Sequence, residues 1–154
     1  MDSKDSQDLI FKIVKEKSIL KQDLFNNTLL NFRVLKQVLK EVGDDLSHRI
    51  KTIDDRVIVE YRDVDEHEVH LRIAGDILIF NMHTNVFKFD QGNSLWNTSY
   101  LKADENRGYT GVINIYNFLN DSFKYNRVND AGYLVARLFI NRENHYMVEG
   151  KRQL

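Results

Sequence analysis

Cysteine and proline are absent from these 154 residues, glycine occurs only seven times, and neither sign of charge dominates. The lack of cysteine excludes disulfides, thiolate-ligated zinc, iron–sulfur clusters and thiol nucleophiles. The lack of proline leaves the turns to Gly, Asn and Asp, which tolerate left-handed backbone. The apolar runs are only a few residues long, far short of the ~20 that a membrane helix needs. The opening Met1-Asp-Ser-Lys-Asp-Ser-Gln-Asp8 is acidic and polar, the opposite of a secretion signal. The expectation is a cytoplasmic chain with no membrane partner. With 22 basic against 23 acidic residues, the chain has no bulk field for phosphates, so there is no strong nucleic-acid signal. The scattered glycines form neither a GxGxxG nor a P-loop, and no nucleophile elbow or metalloprotease helix is present. No cofactor is implied.

What remains is a composition that folds: 42% hydrophobic and 11% aromatic, in a length suited to one domain. Residues 6–42 read as helical. Leu9, Ile10, Ile13 and Val14 give a short apolar face, followed by a wider stripe at Leu24, Phe25, Thr28, Leu29, Phe32, Leu35, Val38, Leu39 and Val42. Gly43 before Asp44 and Asp45 predicts the stop, and Asn26-Asn27-Thr28 is a candidate break. A stripe this wide suits packing on a sheet.

From residue 56 to about 150 the period falls from 3.6 to 2. Val57, Val59 and Tyr61 alternate with Ile58, Glu60 and Arg62, and Val69, Leu71 and Ile73 with Glu68, His70, Arg72 and Ala74. After Gly75-Asp76 comes Ile77-Leu-Ile-Phe-Asn-Met-His83, which predicts a tight hairpin with Gly75 and Asp76 as its two loop residues. Ala74 then pairs with Ile77, and the next alternate rungs, Ile73 with Leu78, Leu71 with Phe80 and Val69 with Met82, put three apolar pairs on one face. A polar stretch over 90–108 follows, carrying Trp96 and Tyr100. A loop of that length inside a compact domain is usually functional. Tyr109–Leu119 reads as a strand. Tyr133–Ile140 fits a strand better than a helix, because β-branched and aromatic residues dominate it. Asn141–Asn144 is a turn, and His145–Val148 returns. The expected architecture is one α+β domain, with N-terminal helices on one face of a mostly antiparallel sheet of five to seven strands.

Three clusters carry candidate chemistry. On the second face of the hairpin, Glu68 lies opposite His83 and His70 opposite Asn81. Two imidazoles and a carboxylate on adjacent rungs are the donor set of an open zinc or ferrous site. Asp130 with Glu149-Gly150-Lys151 is similar to the metal-binding hairpin of restriction-endonuclease-like nucleases. There, two carboxylates hold Mg²⁺ and the lysine assists water. That fold continues with a further helix and strand, for which the three residues after Lys151 leave no room. Phe87/Phe89, Tyr116/Phe118 and Phe123/Tyr125 place aromatics two apart with Lys88 and Lys124 between, a pattern able to stack a flat ligand but more typical of a core face. The leading functional expectation is a non-catalytic binding or assembly module, contacting a protein partner or a second copy as a homodimer. Its surface would be the mixed face bearing Arg72, Ile77, Ile79 and Asn81, rimmed by Trp96 and Tyr100. The rival is a small metal-dependent hydrolase built on Glu68, His70 and His83.

Overall fold

The N-terminal stripe builds a single rod rather than separate helices. In the computed structural model, which describes residues 3–121, 125 and 132–150, helix α1 (Ser3–Ile13) runs through a π turn (Val14–Ser18) into helix α2 (Ile19–Lys51). The expected stop at Gly43 is overturned. That residue is buried inside α2, and a Cβ there would meet Leu71 Cδ1 at 3.0 Å and Tyr61 Cβ at 3.5 Å. Glycine serves there as a place where strands approach the helix, so the helix continues to a last turn bearing His48, Arg49 and Lys51, which suit its negative end. The Asn26–Thr28 step does not break it either. Thr28 is 1% exposed, and its hydroxyl donates to the Leu24 carbonyl at 2.7 Å.

Among the described residues, seven antiparallel strands form one open sheet: β1 (Val59–Asp65), β2 (Glu68–Ile73), β3 (Asp76–Met82), β4 (Phe87–Lys88), β5 (Tyr109–Leu119), β6 (Tyr133–Asn141) and β7 (Tyr146–Gly150). The order is β1-β2-β3-β5-β6-β7, with β4 pairing on β5 beyond the end of β3. The α+β expectation holds, and 133–140 is strand. The inward rows, among them Val69, Leu71, Phe80, Met82, Ile113 and Ile140, close on Phe32 and its neighbours along α2. Each fully buried side chain of this size contributes about 1.5–3 kcal/mol.

The hairpin register differs from the expected one by two residues. Ile73 faces Asp76, Leu71 faces Leu78 and Val69 faces Phe80, so Ala74 and Gly75 are the loop, with Ala74 at φ 54°. Residues just outside the flanking strands β1 and β5 hold the bend: the Ala74 amide donates to Ile58 O at 2.8 Å, and Gly75 O accepts from the Asn120 amide at 2.8 Å. A shift of two leaves every side chain on its expected face, since alternation has period two.

Candidate functional site

The register change decides the fate of the proposed metal trio. Glu68 faces Asn81, and His70 faces Ile79. His70 Nε2 lies 2.6 Å from Glu68 Oε1 along the same strand, and the Asn81 amide donates to Glu68 Oε2 at 3.3 Å. His83 lies beyond β3, where its Nδ1 accepts from the Asn85 amide at 3.0 Å and its ring stands edge-on to Phe87. The three side chains are therefore engaged in two separate arrangements. Among the described residues no group of three His, Asp or Glu side chains is placed to hold a metal ion. Asp130, Lys151, Phe123 and Lys124 lie outside the described residues; Glu149 pairs with Arg137 at 2.6 Å.

The face expected to meet a partner is less open than its alternation suggests. Ile77 stands in the ladder between Arg72 and Phe118, and Ile79 between His70 and Tyr116; each is only 8% exposed. Arg72 is half-buried, and its Nε donates to Ala74 O at 3.2 Å. Tyr116 and Phe118 lie side by side, ring centroids 6.5 Å apart, on this outer face rather than in the main core.

A cavity forms instead at the other end of the same face. The 89–108 segment folds back over β5, β6 and β7 through short helical turns at Ser94–Asn97, Ser99–Ala103 (α3) and Glu105–Gly108. Asn93, Thr98 and Asp104 cap these turns, each side chain accepting a backbone N–H two or three residues on. Trp96 clasps the segment shut. Its indole N–H donates to Asp90 O at 2.8 Å, and its ring lies so close over Gly108 that a Cβ there would sit 2.3 Å from Cη2. Trp96 is thus a structural clamp and does not line the cavity.

Beneath the cover is a pocket of about 350 Å³. Phe89, Leu95, Leu101, Phe139 and Met147 supply its apolar wall, with Phe89 and Phe139 rings 5.2 Å apart. Tyr100, Arg107, Asn141 and His145 also line it. These polar groups bond chiefly to one another and to neighbouring backbone. Tyr100 donates its hydroxyl proton to Glu143 at 2.5 Å and accepts from Asn141 Nδ2 at 2.8 Å. Arg107 pairs with Glu143 at 3.0 Å, donates to Tyr100 O at 3.0 Å and places its guanidinium 4.4 Å from the Tyr100 ring centre. The His145 ring stacks on Tyr100, 4.3 Å away and nearly parallel. Asn141, 3% exposed, also accepts from the Glu143 and His145 amides and so shapes the β6–β7 turn. Burial, and then the Glu143 carboxylate, push the Tyr100 hydroxyl above the usual tyrosine range. The Tyr100 hydrogen bond, aided by Arg107, holds Glu143 below the usual carboxylate range.

Of this cluster only Tyr100 stands out in the sequence. Arg107, Glu143 and His145 are ordinary turn and loop residues by pattern, and nothing in their spacing links residue 100 to residue 143. An Asn closing a strand is the single hint, and it signals a turn rather than a pocket. No protein-family model, curated protein or solved structure matches this chain.

Proposed function

We propose that this protein is a non-catalytic binding module that receives an apolar group of a partner in the pocket beneath the 89–108 cover. The observation that carries this reading is the combination of an apolar cavity with a polar margin already satisfied within itself. A cavity of about 350 Å³ lies at the small end of the range for ligand sites, and such sites are mostly apolar with a few placed polar groups. The hydroxyl of Tyr100, the amide of Asn141 and the carboxylate of Glu143 hold each other in place, which favours a rigid, preformed mouth over a reacting centre. The Trp96 clamp keeps the cover on the sheet without occupying the cavity.

The methionines make the test direct. Met147 lines the pocket, whereas Met82 is 2% exposed in the main core. With methyl-labelled methionine, titration with indole or benzene is expected to shift the Met147 resonance and leave Met82 in place. Gly108→Ala forces the Trp96 ring away and is expected to weaken that binding at least about tenfold, with the far-ultraviolet circular dichroism unchanged. A Met147 signal that does not move, or shifts of equal size at Met82, refutes the pocket reading.

A further inference from the structure

We infer that the partner is an extended segment of polypeptide that pairs antiparallel with the free edge of β7 and directs one apolar side chain into the pocket, an inference that rests on the pocket reading above. The sheet ends at β1 and at β7, and among the described residues no strand lies beyond either. Open edges invite foreign strands, and proteins blunt them with charge, bulges or proline. Edge β1 is blunted: Glu60, Arg62, Asp63 and Asp65 make up four of its seven residues, and its register slips between Asp63 and Asp65. Edge β7 is not. Its one charged residue, Glu149, is held by Arg137 at 2.6 Å, and its ladder with β6 runs without a shift.

The phase of that ladder determines which backbone groups are free. The Asn141 amide donates to His145 O at 2.9 Å, and bonded and unbonded rungs alternate in an antiparallel pair. Phe139 with Met147 and Arg137 with Glu149 are therefore the bonded rungs. The N–H and C=O of Tyr146 and Val148 point the other way, out of the sheet. A peptide laid antiparallel against them bonds through its residues opposite Tyr146 and Val148. The residue between those two, opposite Met147, turns its own N–H away from β7.

Side chains select the occupant. Met147 stands on the pocket face across from Phe139, and with His145 and Tyr146 it forms the β7 margin of the pocket. A strand added about 4.8 Å from β7 sets the side chain opposite Met147 on that same face, about 5 Å from it. Tyr146 and Val148 stand on the helix face, across from Ile140 and Leu138, yet remain 74% and 61% exposed. The neighbours of the inserted residue cover them. The occupant is thus an extended apolar tripeptide, its middle side chain for the pocket and its outer two β-branched; backbone pairing supplies affinity and the pocket selectivity. A second copy fits less well. Its β7 can set only Met147, Glu149 or the adjoining His145 opposite Met147, and each is engaged within its own chain, in the pocket wall, with Arg137 and on the Tyr100 ring respectively.

The probe is a capped peptide, Thr-Val-Phe-Val-Thr, titrated into the full chain and followed at the Met147 methyl and by amide hydrogen exchange. Binding is expected to shift Met147, displace indole and slow exchange of the Tyr146 and Val148 amides at least about tenfold. N-methylation of both valines is expected to weaken binding at least about tenfold, and N-methylation of the phenylalanine to leave it within about threefold, because only the valine amides face β7. Val148→Pro removes an outward N–H without touching a ladder bond. It is expected to keep the circular dichroism and the indole shift and to lose the peptide; should it fail to fold, the methylated peptides decide alone. Indole binding without peptide binding, or a peptide that binds folded Val148→Pro unchanged, overturns the edge inference and leaves the pocket reading standing. A Met147 resonance unmoved by indole removes both. Loss from methylating the phenylalanine equal to or greater than that from the valines overturns the antiparallel register. Slow Tyr146 and Val148 exchange in the protein alone, with twice the 18.2 kDa chain mass in sedimentation, shows that a second copy holds the edge and overturns the peptide occupant.

Discussion

Gly111→Ala tests the contact on which the whole arrangement turns. Strand β5 carries Gly111 on the helix side and Thr110 and Val112 on the pocket side, and all three are buried. A Cβ at position 111 would lie 1.9 Å from Thr28 Oγ1 and 2.8 Å from both Thr28 Cβ and Cγ2. Rotating Thr28 offers no escape. Its Cβ stays in place, and its hydroxyl would give up the bond to Leu24 O, worth about 1 kcal/mol. The helix must therefore move, and overpacking of this kind costs about 1–3 kcal/mol. The loss of unfolded-state freedom on replacing glycine returns roughly 0.4–1 kcal/mol. A net loss of about 2 kcal/mol is expected, a large share of a domain stability of roughly 5–15 kcal/mol. The assay is urea unfolding followed both by helical circular dichroism and by the fluorescence of Trp96, the sole tryptophan. Thr28→Ala removes the two side-chain atoms beyond Cβ, so the double variant is expected to recover about 1 kcal/mol relative to the sum of the singles. Additivity to within about 0.5 kcal/mol refutes the proposed contact.

Two other outcomes follow from the same geometry. Ala74 holds φ 54° and nothing lies within 4 Å of a Cβ built at Gly75, so exchanging the pair (Ala74→Gly with Gly75→Ala) is expected to raise stability by about 1–2 kcal/mol in thermal unfolding; no gain sinks the turn assignment. Glu143 is held below its ordinary value of 4.5 and Tyr100 above its ordinary 10.0. The Glu143 contribution is therefore present above the unfolded carboxylate value and lost as pH falls through the lower folded one. The Tyr100 contribution is present below the unfolded phenol value and lost as pH rises through the higher folded one. A carbon-detected tyrosine titration is expected to place Tyr100 above the exposed tyrosines, and Glu143→Gln to bring it part of the way down, since burial persists. An unmoved Tyr100 would refute the coupling.

Alternation and helical spacing made the fold class readable. The apolar rows at Val69–Ile73 and Ile77–Met82 carried enough information to place each side chain inward or outward, and they did so correctly. They could not distinguish one register from another two residues away, because both satisfy the same parity. The metal trio depended on that distinction. Gly43 shows the same limit in the helix: a glycine before two aspartates signals a stop locally, but here the approach of Leu71 and Tyr61 is what uses it.

The amino-acid sequence by itself determined that a helix with a broad apolar stripe would lie on an antiparallel sheet, because those periods are properties of neighbouring residues. Tertiary structure alone decided where the chain bends at Ala74–Gly75, since the bonds that hold the bend come from residues 58 and 120. It alone assembled the pocket. Tyr100 and Arg107 meet Asn141, Glu143 and His145 across some forty residues of intervening chain, and no local pattern encodes a contact whose partners are neighbours only once the sheet has formed.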